Sequence, residues 1–262
     1  MTRRRLALVL LACLVAVAAP SGQSRGITIA AASDLQAVLP DITRPFERST
    51  GIRTTVTFGS SGNFFAQIQN GAPFDVFLSA DADYPRRLAD AGQVESSTLF
   101  EYATGRLVLW ARRDSPLDVN KGLALLADAH VRHVAVANPA TAPYGRAALA
   151  AIRSAGVFGV TERKLVYAEN VAQAAQLAQS GNADVALIGH ALAVGPALRE
   201  AGHFLDIPAR LHPPIAQAAA VVSSSPNKPA AREFIDYLKS AAAKQTLRSY
   251  GFDVAGGAGG GA

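Results

Sequence analysis

"RTTVTFGSSGNFFAQIQNG", Arg53–Gly71, contains the reading on which the fold turns. The β-branched run Arg53–Phe58 predicts a strand. Gly59-Ser60-Ser61-Gly62 interrupts it, and the segment after it predicts a helix closed by Gly71. A strand passing directly into a helix is half of a βαβ unit. Its junction offers the unpaired N–H groups of a helix start and two hydroxyls, with no Lys or Arg in it. Such a junction suits an anion. It also reads as a plain Gly-Ser turn.

The same grammar repeats on both sides. "GITIAAA" predicts a strand and "SDLQAVLPDITRPFERSTG" a helix with Ser33 as its N-cap; "FDVFLSA" and "DADYPRRLADAG" repeat the pair, closed by Gly92. After the long β-run "YATGRLVLWARR" come "GLALLADA" (helix), "HVAVANP" (strand), "YGRAALAAIRSAG" (helix) and "KLVYAEN" (strand). "VAQAAQLAQSG" (helix), "ADVALIG" (strand) and "HALAVGPALREAG" (helix) follow. A second long β-run, "HPPIAQAAAVVSS", precedes two terminal helices. Alternating strands and helices predict an α/β fold with mainly parallel sheets flanked by helices. Two long β-runs around a self-contained block predict two hinge crossings between two lobes. The first lobe spans residues 26–104 plus 212–253, and the second 105–211. Hinged lobes close over a ligand.

The N-terminus reads as a secretory leader over residues 1–19: a basic "MTRRR", the apolar "LALVLLACLVAV" and small residues suited to cleavage. This places the mature chain in the periplasm. Cys13 lies inside the apolar run rather than after it, which argues against lipid anchoring. It is the sole cysteine of 262 residues, so the mature chain has neither disulfide nor thiol chemistry. Removing Arg3, Arg4 and Arg5 lowers the formal net charge from +5 to +2, which gives no support for nucleic-acid binding. The Gly/Ala tail, residues 254–262, is expected to be disordered, and the chain is expected to be a monomer.

Four helix starts are candidate walls of one site. Ser33 and Ser61 each stand where a strand meets a helix. Pro143 opens a helix carrying Tyr144, and Asn170 caps one whose first N–H belongs to Val171. Each also has an ordinary capping, turn or packing role. Asp34 follows Ser33, where acidic residues favour helix starts; beside a bound anion it would be repulsive. Ser60 is a further candidate donor. No protein-ligated metal or cofactor is expected: the five histidines show no metal spacing, and His130 and His133 lie in a loop. "GSSGN" departs from the G-x-S-x-G elbow of serine hydrolases at Asn63, and no enzyme is expected.

"AAAS", "FGSSG", "NGAPFDVFLSAD", "ANPATAPYG", "AENV" and "EFIDYLKS…YGF" together resemble the molybdate-binding proteins of bacterial ABC importers, which have the type II periplasmic-binding fold. The resemblance covers about residues 26–253. It implies capture of molybdate or tungstate by Ser33, Ser61, Tyr144 and the Val171 amide, with an ABC permease and its ATPase as partners. Some family members carry a Tyr where Gly189 stands, and Tyr144 would then supply that hydroxyl. A receptor for sulfate, phosphate or a phosphonate is the alternative, with Asp34 as acceptor for a protonated anion.

Overall fold

The computed structural model describes residues 26–254. The leader and the glycine-rich segment 255–262 lie outside them. In chain order the regular elements are β1 (Gly26–Ala32), α1 (Leu39–Thr50), β2 (Arg53–Gly59), α2 (Ser61–Gln69), β3 (Val76–Ser79), α3 (Asp83–Asp90), β4 (Phe100–Gly105) and β5 (Leu107–Arg112). Then come β6 (Val134–Ala137), α4 (Pro143–Ser154), α5 (Phe158–Thr161), β7 (Leu165–Ala168), α6 (Val171–Gln179), β8 (Val185–Gly189) and α7 (His190–Val194). The last are β9 (Gly202–Asp206), β10 (Ile215–Val221), α8 (Lys228–Leu238) and α9 (Ala241–Ser249). Short 3-10 turns fill several connections, one of them Ser33–Gln36.

These strands form two five-stranded sheets with the same plan, ordered β2-β1-β3-β10-β4 and β7-β6-β8-β5-β9. In the first, β2, β1 and β3 are parallel, β10 runs against them, and β4, antiparallel to β10, runs with them. In the second, β7, β6 and β8 are parallel, β5 runs against them, and β9, antiparallel to β5, runs with them. Four of the five strands in each sheet thus point the same way, as expected of a mainly parallel sheet, with one strand reversed. The chain passes from one to the other at Arg106, between β4 and β5, and returns between β9 and β10. Beside these crossings Arg106 and His190 both bond to Asp206, at 2.7 and 2.8 Å.

The parallel strands position everything that follows. In such sheets the helix after each strand begins at the strand's carboxyl end, where ligands collect. β1, β2, β6 and β7 each deliver a helical start there. Both sheets have apolar cores: Ile29, Val76 and Phe77 in one, and Val108, Val134 and Leu187 in the other, are fully buried. Phe46 of α1 meets Phe234 of α8 edge-to-face at 5.2 Å, fastening the C-terminal helices onto the first sheet.

Several local expectations change. Residues 33–51 form a 3-10 turn and then α1, not one helix, with Pro40 in the first turn of α1. Ala32 rather than Ser33 precedes that turn, and no side chain caps it. "GLALLADA" lies in 3-10 turns kinked at Gly122. Gly195 ends α7 after five residues, freeing the chain for β9, a strand absent from the sequence expectation. Val254, assigned above to the tail, is buried.

Candidate functional site

Four helical starts from the two sheets surround one small cavity, lined by Ser33, Asp34, Ser60, Ser61, Tyr144 and Val171 with their small neighbours. Among its lining residues there is no Lys, Arg or His. Attraction for an anion there has to come from helix dipoles and oriented donors.

Two of the serine hydroxyls accept from backbone N–H groups of other elements. Ser61, fully buried at the first position of α2, accepts the Ala80 N–H at 2.9 Å, leaving its own proton free to donate. Ser33 accepts the Ala172 N–H of α6 at 3.4 Å, a bond between the lobes. Asn170 caps α6 by accepting the Gln173 N–H at 3.0 Å, as its position predicts. The Val171 N–H, first in α6, has no intrahelical acceptor. Ser60 is 3% exposed and its Oγ has no hydrogen-bond partner among the described residues.

Asp34 is not a solvated helix-start residue: it is fully buried against the cavity. Gln217 of β10 donates from Nε2 to Asp34 Oδ2 at 2.5 Å. The Tyr102 hydroxyl of β4 donates to Gln217 Oε1 at 2.7 Å, fixing that amide. The Tyr144 hydroxyl lies 3.4 Å from the same Nε2. Asp34 Oδ1 is buried with no partner at hydrogen-bonding geometry among the described residues. Burial raises the Asp34 pKa to about 6; the bond from Gln217, then Tyr144 and nearby backbone N–H groups, hold it from rising further. Burial first, and the Asp34 charge second, push the Tyr102 and Tyr144 phenols up, so both remain donors at neutral pH.

Tyr144 occupies space that two glycines leave. A Cβ on Gly189 would stand 3.2 Å from the Tyr144 ring, and one on Gly105 would stand 2.2 Å from its hydroxyl. Gly189 therefore contributes room, and Tyr144 fills the region a side chain there would take.

The lobes meet over the cavity. The Gly62 N–H donates to the Thr141 carbonyl at 2.9 Å, and a Cβ on Gly62 would fall 2.7 Å from that oxygen. Arg146 of α4 pairs with Asp81 and reaches the Tyr84 hydroxyl at 3.3 Å. This clasp sits on the rim, with a half-buried guanidinium.

The structure thus brings Ser33, Ser61, Tyr144, Val171, Asp34 and Ser60 to one cavity, with Gly189 behind Tyr144. Gln217, Tyr102 and the Arg146–Asp81 clasp were missed from sequence. A lone Gln inside the apolar β10 was the available signal for the first. His130 bonds Asp128 and His190 bonds Asp206, both away from the cavity lining.

The chain is similar to known proteins over nearly all of the described residues. The chain is 36% identical over 250 residues to the molybdate-binding protein ModA of Azotobacter vinelandii, covering 95% of this chain and 97% of that one. It is 36% identical over 242 residues to ModA of Rhodobacter capsulatus, covering 92% and 93%. The solved periplasmic molybdate-binding protein of Azotobacter vinelandii superposes with a TM-score of 0.81 at 31% identity, covering 87% of this chain and 99% of that one. The sequence profile of the bacterial extracellular solute-binding proteins matches residues 27–253, and the chain belongs to that family.

Proposed function

We propose that this chain is an extracytoplasmic receptor that captures a tetrahedral oxyanion, molybdate or tungstate, between its lobes and presents it to the permease and ATPase of an ABC importer. The observation that carries this reading is the convergence of four helical starts and several buried donors on one cavity without a cationic side chain. Molybdate and tungstate are fully deprotonated at neutral pH, so they accept hydrogen bonds and donate none. Ser33, Ser60, Ser61 and Tyr144 supply hydroxyls, and Val171 supplies its backbone N–H. Each charge-assisted bond is worth about 1.5–3 kcal/mol. Several of them exceed the costs of association and ordering and reach sub-micromolar affinity, beyond about −8 kcal/mol. Sulfate has the same charge and shape, so its rejection rests on cavity size.

The rest of the reading is consistent with a receptor. No imidazole or amine in the cavity lining stands beside a serine to activate it, so binding rather than acyl transfer is what these hydroxyls support. The protein acts as a periplasmic monomer, released by its leader and without a lipid anchor or a nucleic-acid partner. One observation favours a second reading: an ionised Asp34 would accept the proton of a hydrogen phosphate.

Calorimetric titration of the mature protein with molybdate, tungstate, sulfate and phosphate separates the two. Sub-micromolar molybdate or tungstate binding without a phosphate response is expected. Phosphate binding alone would overturn the proposal.

A further inference from the structure

Asp34 is the unexplained group in the cavity. A buried carboxylate beside a dianion repels it, yet Asp34 is fully buried on the lining that Ser33, Ser61 and Val171 share. Its two oxygens are not equivalent. Oδ2 accepts from Gln217 Nε2, whose orientation is fixed in turn by the Tyr102 hydroxyl. A proton on the carboxyl therefore belongs on Oδ1, which no described residue meets at full hydrogen-bonding geometry, although Tyr144 and the Asp34 and Leu35 N–H groups lie near enough to the carboxyl to favour its charged form.

We propose that Asp34 is a proton-carrying donor of the oxyanion site: binding of the dianion takes up one solvent proton onto Asp34 Oδ1, and the resulting O–H donates to the anion. This rests on the reading of the cavity as an oxyanion site and makes Asp34 a determinant of its specificity. A fully deprotonated anion accepts that bond at every oxygen. An anion carrying its own proton presents fewer acceptors and competes for the donor role. The acidic side chain thus becomes compatible with a negative ligand, and net charge is balanced by one unit on binding.

The surroundings support this protonation. Burial already raises the Asp34 pKa to about 6 without a ligand, and a dianion raises it further. The ionisable groups facing Asp34 are Tyr102 from β4 and Tyr144 from α4, both protonated at neutral pH. β1, α6 and β10 carry no ionisable side chain. Arg53 lies at the far end of β2 from the site. On α1, Asp41 is bonded to Tyr250 and paired with Arg44, Glu47 accepts from Thr54, and Arg48 lies in the last turn. His190 of α7 is bonded to Asp206, and the rim pair Asp81–Arg146 neutralises itself. No cation is among the groups that shift Asp34.

The test is calorimetry of the mature protein with tungstate at pH 7.5, in two buffers of different ionisation enthalpy, and at several pH values from 6.5 to 8.5. The difference between buffers counts protons. Uptake of about one proton per anion, with affinity falling by nearly tenfold per pH unit, is expected. In Asp34→Asn the uptake disappears, affinity becomes flat with pH, and binding at pH 8 exceeds that of the natural protein. The rest of the molecule is the same in both proteins, so its contribution drops out of the comparison. Tight tungstate binding without proton uptake in the natural protein would overturn this inference while leaving the oxyanion reading intact. Uptake that persists in Asp34→Asn would also overturn it. Failure of molybdate and tungstate to bind at any pH would overturn both. If Asp34→Asn does not fold, the two-buffer measurement on the natural protein decides alone.

Discussion

Replacing Asp34 by Asn changes how stability responds to pH even without a ligand. Asp34 titrates at about 6 in the folded protein, against an ordinary 3.8, because burial opposes its charge. A raised folded pKa means that the folded state holds this proton more tightly than the unfolded chain does. The stabilisation is fully present below 3.8 and is lost as pH rises through about 6. At about 1.4 kcal/mol per pKa unit, the natural protein loses about 2–3 kcal/mol from this group between pH 4 and pH 8. Asn keeps an oxygen for Gln217 Nε2 and never ionises. Placing its amide where Oδ1 stands carries a cost that does not vary with pH. Glu95, Asp128 and Asp206, whose pKa values are lowered, act with the opposite sign but equally in both proteins. The measurement is urea unfolding of both proteins at pH 4, 6 and 8. The stability difference should move by about 2–3 kcal/mol in favour of Asn as pH rises. A difference constant across that range would refute the placement of Asp34 as a buried, titrating carboxyl.

Ser61→Ala removes a proposed donor. Oxyanion affinity should fall by about 1.5–3 kcal/mol while the protein stays folded, read by titration and circular dichroism; an unchanged dissociation constant would reduce Ser61 to its bond with the Ala80 N–H. Arg146→Met breaks the rim clasp. Its half-exposed pair is worth about 1 kcal/mol or less, so stopped-flow dissociation of tungstate should quicken by a few-fold, and an unaltered rate would remove the clasp from the closing mechanism. Gly189→Val pushes side-chain atoms into the Tyr144 ring. A stability loss of about 1–3 kcal/mol by thermal or urea unfolding, together with weaker oxyanion binding, is expected. If neither changes, Gly189 does not set the position of Tyr144.

Much of the site was legible because its parts are helix starts, and helix starts are written locally. Gly59-Ser60-Ser61-Gly62, Pro143-Tyr144 and Asn170-Val171 each announce a strand-to-helix junction within a few residues. Their convergence follows once the strands are parallel, since parallel strands place those junctions at one end of the sheet. What was not legible depends on pairing at long range. Gln217 reaches Asp34 across 183 positions, and Tyr102 reaches Gln217 across 115, so their partners have no local signature. Asp34 itself reads as a helix-start acid from its neighbours alone. Its burial depends on distant partners, Gln217 of β10 and the starts of α4 and α6, which close over it. β9 escaped for a similar reason: "GHFLD" is short and mixed in polarity, and it becomes a strand by pairing with β5. The break after Ser33 falls where Pro40 opens α1, since a proline has no N–H with which to continue a preceding helix.

The claim that the cavity holds a tetrahedral dianion is tested most directly by a crystal structure of the mature protein grown with tungstate, with tungsten located by its anomalous scattering. The expected result is a single strong peak in the cavity, with oxygens at hydrogen-bonding distance from the Ser61 and Tyr144 hydroxyls and the Val171 N–H. A peak elsewhere on the molecule, or an anion seated without contact to those three groups, would contradict the account.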